Sequence, residues 1–251
     1  MSVIAENLSV VRSRIARAAE LAGREPSSIR LVAVSKLMPS EAIREAYAAG
    51  QRDFGENYVQ ELVRKAEELQ DLPELRLHLI GHLQTNKVKA VVGSVSMIQS
   101  VSSVRLVSEL EKRLSVLPKT HGTRWPAPFP SERNASQTRL PILVEVNVGG
   151  EAQKSGCAPA EANAILEAIE GSPHLCAHGL MTVPPFDLDP QQARPHFDRL
   201  RLLRDELGGV GRLPELSMGM TLDLEEAILA GATLVRVGTA IFGERPRREA
   251  P

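Results

Sequence analysis

Leu31-Val32-Ala33-Val34-Ser35-Lys36 is an apolar run without alternation that ends on a lysine, with Pro39 close behind. A run of this kind is a strand covered on both faces, the state of strands in a parallel sheet. Lys36 then stands where the chain leaves the sheet. Burying an ammonium is expensive unless the site uses it. An amine that loses its proton there can attack a carbonyl and form a Schiff base. The competing reading is a lysine whose stem lines the strand end while its head reaches water. On this segment alone the second reading is the better one.

Working outward, short β-branched runs alternate with helical ones. The pattern predicts strands at 31–35, 52–54, 77–81, 96–100, 141–147, 176–182, 214–217 and 233–237. It predicts helices at 40–49, 57–69, 84–92, 103–115, 159–170, 190–207 and 222–230. Eight strands separated by helices in this length suggest a (β/α)8 barrel, an α/β fold. A doubly wound open sheet is the runner-up on pattern alone. Before them, Ile4, Leu8, Val11, Ile15, Ala18 and Ala22 recur at helical spacing and stop at Gly23. That predicts an extra N-terminal helix over 1–23, packed on a single barrel domain covering 1–251. Its arginines could suit a transit peptide, but Glu6 and Glu20 argue against one. Residues 118–139 are rich in Pro, Ser, Arg and Asn and contain Trp125 and Phe129. They are expected to form a flexible surface insertion.

Composition excludes several classes. Hydrophobic residues make up 43% and aromatics 3%, so the core is built from Leu, Val, Ile and Ala. The net charge of −1 recruits neither nucleic acid nor an anionic membrane. No apolar stretch is long enough to span a bilayer, and no secretory signal is evident. Cys157 and Cys176 do not make a disulfide framework, so a cytoplasmic location is expected. The histidine pairs His78/His82 and His174/His178 lack the further ligands a metal needs, and no metal is expected.

Two later segments carry chemistry. Leu216-Ser217-Met218-Gly219-Met220-Thr221 ends a strand on a hydroxyl-bearing turn, and a helix follows. Leu234-Val235-Arg236-Val237-Gly238-Thr239-Ala240-Ile241-Phe242-Gly243 ends the next strand on a Gly-Thr pair. In a barrel these are strands seven and eight, whose following loops often bind phosphate through backbone N–H groups. Ser217, Thr221 and Thr239 can add hydroxyls, and Gly238 allows close approach. Arg236 needs an acceptor if buried: an acid inside the barrel, or an anionic or ring-nitrogen ligand. The sequence leaves these two open.

The chain resembles the pyridoxal-phosphate homeostasis proteins, also called the proline synthetase co-transcribed family. The likeness lies in Val32–Lys36, Phe54-Gly55-Glu56-Asn57-Tyr58-Val59-Gln60-Glu61, Ile80-Gly81-His82-Leu83-Gln84-Thr85-Asn86-Lys87, Lys154-Ser155-Gly156, Gly179-Leu180-Met181-Thr182 and the two segments above. The family resembles the barrel domain of alanine racemase, which selects the barrel over the open sheet. The resemblance implies pyridoxal 5′-phosphate (PLP) as cofactor, held as a covalent aldimine at Lys36. It implies that Ser217, Thr221, Gly238 and Thr239 hold the phosphate. Arg236 would face the pyridine nitrogen, and Asn57, His82, Met181 and Met218 would line the pocket. Leu37, Val148, Gly149, Thr221 and Leu77 depart from residues common in the family. None of them removes Lys36 or the phosphate turns.

Three functions compete. The chain can be a PLP carrier for intracellular storage, buffering and delivery, without robust catalysis. It can be a PLP-dependent amino-acid racemase. It can be a lyase using Lys36 directly on a carbonyl. A racemase needs a second base, and only Tyr47 and Tyr58 are tyrosines here. An arginine at the ring nitrogen disfavours ring protonation and weakens the electron sink. The carrier is the expected function, as a monomer that meets apo-enzymes transiently and binds no nucleic acid or membrane. Lys154 is a candidate second amine or transfer site.

Overall fold

The computed structural model describes residues 2–117, 139–151, 155–185 and 189–244. Its eight described strands are β1 (Arg30–Val34), β2 (Asp53–Glu56), β3 (Arg76–Leu79), β4 (Met97–Val101), β5 (Leu140–Glu145), β6 (Leu175–Met181), β7 (Glu215–Ser217) and β8 (Leu234–Val237). They close into a barrel in chain order, every pair parallel, with β8 returning to β1 through Arg30↔Leu234 and Ala33↔Val237. The barrel expected from the alternating pattern is therefore the fold, and the open sheet is not.

The described helices are α1 (Val3–Leu21), α2 (Ser40–Ala48), α3 (Val59–Glu68), α4 (Val88–Val91), α5 (Val104–Leu114), α6 (Ala162–Glu170), α7 (Pro190–Glu206), α8 (Gly209–Arg212), α9 (Leu224–Leu229) and α10 (Thr239–Phe242). The four-residue helices α8 and α10 have no counterpart among the expected helices, because one turn gives no periodicity to read. The insertion expected at 118–139, with Trp125 and Phe129, lies outside the described residues except for Arg139, and so does Lys154.

Alternation along each strand sorts the core into two layers. One set of strand residues, such as Phe54, Leu79 and Val144, faces outward and packs in one layer with helix residues such as Ile43, Leu62 and Phe197, all buried. A smaller set fills the barrel: Val32, Met97, Leu143, Met181 and Leu234. At about 25 cal/mol per Å² of apolar surface, such burial supplies the main driving force for folding. Because all strands run the same way, their C-terminal ends share one face, and the residues that follow them gather there.

The N-terminal helix does more than pack. It starts at Ser2, whose Oγ accepts from Ala5 N, and it lies against α2, α9 and α10. Arg14 binds Glu225 through two nitrogens at 2.7 and 2.8 Å and donates to the carbonyl of Thr221 at 2.9 Å. Asn7 donates to Ile241 O at 3.0 Å. One helix thus braces, from outside, the turns that follow β7 and β8.

Candidate functional site

Lys36 leaves β1 two residues past its last strand position and is half-buried. The residues on either side of it are fixed. Ser35 N donates to Gly55 O at 3.0 Å, and Ser35 Oγ donates to Glu56 Oε1 at 2.6 Å. Leu37 adopts a φ of 64°, a left-handed conformation that costs a branched residue, and its N–H donates to Glu61 Oε1 at 2.7 Å. Behind the turn lies Lys65 of α3, whose side chain is fully buried. Its Nζ donates to Ser35 O at 2.7 Å, to Glu56 Oε1 at 2.8 Å and to Glu61 Oε1 at 2.7 Å. Burial pushes the Glu56 carboxyl above its ordinary range, and the Lys65 ammonium opposes that shift. A buried ammonium with three acceptors is what makes this charge tolerable. It fixes the backbone on both flanks of Lys36.

Arg236 is the second organised residue. Its guanidinium is buried inside the barrel and donates to Ser217 Oγ at 2.6 Å and to Thr182 O at 2.9 Å. Ser217 Oγ donates onward to Gln99 Oε1 at 2.6 Å. With that oxygen taken, the Gln99 amide nitrogen donates to His78 Nδ1 at 2.8 Å. His78 therefore carries its proton on Nε2 and gives it to Asp53 Oδ1 at 3.0 Å. Asp53 is held by Arg76 through two bonds of 2.7 Å. Burial holds the His78 imidazole below its usual range, opposed by the bond to Asp53. Burial also pushes Asp53 upward, but the bonds from Arg76 and His78 outweigh it and leave the carboxyl well below its usual range. Every donor from Arg236 to His78 points the same way, toward the carboxylate of Asp53.

Glu145, the last residue of β5, shares the inward face of Leu143. It is 6% exposed, and its Oε2 has no hydrogen-bond partner among the described residues. Burial pushes its carboxyl up to about 7, with the Arg236 charge pulling the other way. Arg236 in turn is brought down to about 10 by burial, opposed by Asp223 and Glu145.

The phosphate turns are built from close backbone approaches. Gly219 has φ 90°, and a Cβ there would lie 2.4 Å from that of Ala227. A Cβ on Gly238 would lie 3.1 Å from Val34 O. The first turn needs glycine for its left-handed backbone and this close approach, while at the second a Cβ would press on Val34 O by a few tenths of an ångström. Asp223 closes the first turn by accepting from Met220 N at 2.5 Å. At the second turn, Gly238 O accepts from Ile241 N at 2.9 Å and from Phe242 N at 3.0 Å.

The expected site residues fall out as follows. Lys36, Asn57, Thr221, Arg236, Gly238 and Thr239 all stand at or just beyond the C-terminal ends of their strands, as does buried Met181. Ser217 is there too, but its hydroxyl is spent on Gln99 and Arg236, so it holds the arginine rather than being offered to a phosphate. Met218 packs in the layer between barrel and helices instead of lining the pocket, because it follows inward-facing Ser217 and so faces outward. His82 is exposed beyond the end of β3, which stops at Leu79. His78 and His82 therefore do not share a strand face. Among the described residues no group of three or more His, Cys, Asp or Glu could hold a metal ion. The sequence reading missed Lys65, Gln99 and Glu145. The available signals were a lysine four residues after Glu61 and a charged residue closing the apolar run of β5.

These residues suit an aldehyde-bearing phosphate ester. They present one amine, two glycine turns with hydroxyls beside them, a fixed guanidinium and a buried carboxyl.

Residues 6–246 match the family described as alanine racemase, N-terminal domain. A Pseudomonas aeruginosa protein named pyridoxal phosphate homeostasis protein is 43% identical over 245 residues, 98% of this chain and 97% of that one. The structure of PipY from Synechococcus elongatus with PLP bound superposes with a TM-score of 0.76 at 35% identity, covering 96% of this chain and all of that one. An alanine racemase from Corynebacterium glutamicum shares the fold, with a TM-score of 0.61 at 15% identity, and this chain spans 63% of it.

Proposed function

The chain belongs to the pyridoxal phosphate homeostasis protein family, and we propose that it binds PLP covalently through Lys36 and acts in storing, buffering and delivering it. The observation that carries this reading is the convergence of Lys36, the two glycine turns and Arg236 on one barrel face, in a chain similar to a protein solved with PLP bound. Lys36 would hold the cofactor through its amine, and the group would supply an aldehyde able to condense reversibly with that amine, with loss of one water.

The protein's own residues divide the work. The Lys65 cluster sets where the amine emerges. The backbone at 218–221 and 238–240, with the Thr221 and Thr239 hydroxyls, holds the phosphate. Asn57 and Met181 border the ring. Arg236 is held by Ser217 and Thr182 and would meet the ring nitrogen as a donor, which would disfavour protonation of that nitrogen and leave the ring a weak electron sink. This favours holding over turnover.

The racemase reading gains nothing from the tyrosines. The Tyr47 hydroxyl donates to Pro73 O on the outer layer, and Tyr58 is 49% exposed at the start of α3. The likeness to alanine racemase at 15% identity concerns the fold. The protein works as a cytoplasmic monomer that meets apo-enzymes transiently. No described helix is long and apolar enough to cross a membrane.

The test is transfer. PLP-loaded protein is mixed with the apo-form of a PLP enzyme in the presence of a scavenger of free PLP. Reactivation faster than by the same amount of free PLP supports delivery. Reactivation no faster than that rejects delivery and leaves storage.

A further inference from the structure

The relay that fixes Arg236 does not end inside the barrel. It ends at Arg76 and Asp53, the first residues of β3 and β2, on the face opposite Lys36. That face opens into a cavity of about 500 Å³, within the range of small-molecule sites. Its lining carries four arginines, Arg12, Arg30, Arg52 and Arg76, and two acids, Asp53 and Glu215. The acids are matched: Asp53 by Arg76 at 2.7 Å, and Glu215 by Arg30 at 3.6 Å. Arg12 is held by neutral acceptors, Ala49 O at 3.0 Å and Gln51 Oε1 at 3.4 Å. Arg52 donates to the carbonyls of Tyr47 and Gln51 and lies 3.9 Å over the Tyr47 ring. Its acid, Glu74, is 3.6 Å away with a side chain 68% exposed. The cavity therefore keeps a positive balance, with planar donors suited to carboxylate or phosphate oxygens.

We propose that this N-terminal mouth is a second binding site, for a small molecule with two or more negative charges on carboxylate or phosphate oxygens, and that its occupancy is transmitted to Arg236. The path is the relay itself. An anion on Arg76 competes with Asp53 for that guanidinium. Asp53 is the acceptor on which His78, Gln99, Ser217 and Arg236 are successively oriented. A change in its hold reaches the one guanidinium that the proposed function places against the PLP ring. By linkage, PLP loading then changes anion affinity by the same factor. The transmission rests on the PLP reading; the anion site does not.

Two measurements test it on the full chain. Citrate and, separately, inorganic phosphate are titrated calorimetrically into PLP-free protein and into an Arg12→Gln/Arg52→Gln variant. Saturable binding of either probe, weakened at least tenfold in the variant, is expected, and the probe that binds identifies carboxylate or phosphate as the preferred group. No saturable binding by either probe, or equal binding by the variant, overturns the site. The visible band of PLP-loaded protein is then recorded with the bound probe. It is expected to shift in wild type and to stay put in Gln99→Leu and Ser217→Ala, which keep calorimetric binding. A wild-type band that does not move while the probe binds overturns the transmission. Failure to load PLP counts against the PLP reading and leaves the calorimetric result standing.

Discussion

Two buried polar networks flank the site, and they are built differently. The one behind Lys36 is compact and ionic: Lys65 sits among Glu56, Glu61 and the carbonyl of Ser35, outside the barrel wall. The one beneath Arg236 is long and mostly neutral. It passes through Ser217, Gln99 and His78 before it reaches a charged pair at Asp53 and Arg76. The first clamps backbone, and the second orients a side chain. A nucleophilic amine needs its main chain fixed, since its own side chain must move to react. A guanidinium facing a ring needs its plane fixed, which neutral donors in series accomplish without placing a second charge beside the ligand.

If the difference is real, breaking the ionic network costs most. Lys65→Met leaves Glu56 and Glu61 without their cation in a buried place. A loss of about 3–5 kcal/mol in urea unfolding is expected, by analogy with other broken buried pairs. A loss under about 1 kcal/mol would show that the cluster is not a clamp.

The next effect belongs to Glu145, which lies near Arg236 but outside the relay. Burial pushes its carboxyl from an ordinary 4.5 up to about 7. Between those values the folded state binds more protons than the unfolded one, so stability falls as pH rises through that window. The contribution is full below about 4.5 and is lost by about pH 7, with a size on the order of 3 kcal/mol. Urea unfolding of wild type and Glu145→Gln at pH 5 and pH 7.5 measures it. Wild type should lose ground to the variant at the higher pH, and parallel behaviour would place Glu145 in water.

Cutting the neutral relay costs less. Ser217→Ala or Gln99→Leu removes one link and should cost about 1–3 kcal/mol. PLP should still load, with a displaced visible band. A loss as large as that of Lys65→Met would erase the contrast between the networks. Lys36→Ala should cost less than Lys65→Met, because the Lys65 cluster still fixes the backbone on both flanks of position 36.

Much of this was legible in the chain. Leu31–Val34 and the runs like it show strands covered on both faces, and their alternation with helices suggests the barrel. Lys36 alone reads better as a snorkelling lysine, and it is the two turns at 217–221 and 238–239, taken with it, that suggest chemistry placed at strand ends. The networks were not legible, for two physical reasons. Lys65 sits between Arg64 and Ala66 on a strongly amphipathic helix and reads as solvated, and only the docking of α3 on β2 buries it. Asp53, His78, Gln99 and Ser217 come from four strands and meet only when the barrel closes. The placement of Met218 and His82 was hard to read for a local reason, since a one-residue step turns a strand side chain outward and β3 stops three residues before His82.

The most direct measurement is borohydride reduction of the PLP-loaded protein, followed by intact mass and peptide mapping, for wild type and Lys36→Ala. A single reduced PLP adduct located on Lys36 and missing from the variant is expected. An adduct on another lysine, or an unchanged adduct in Lys36→Ala, would contradict the account of Lys36 as the clamped attachment point.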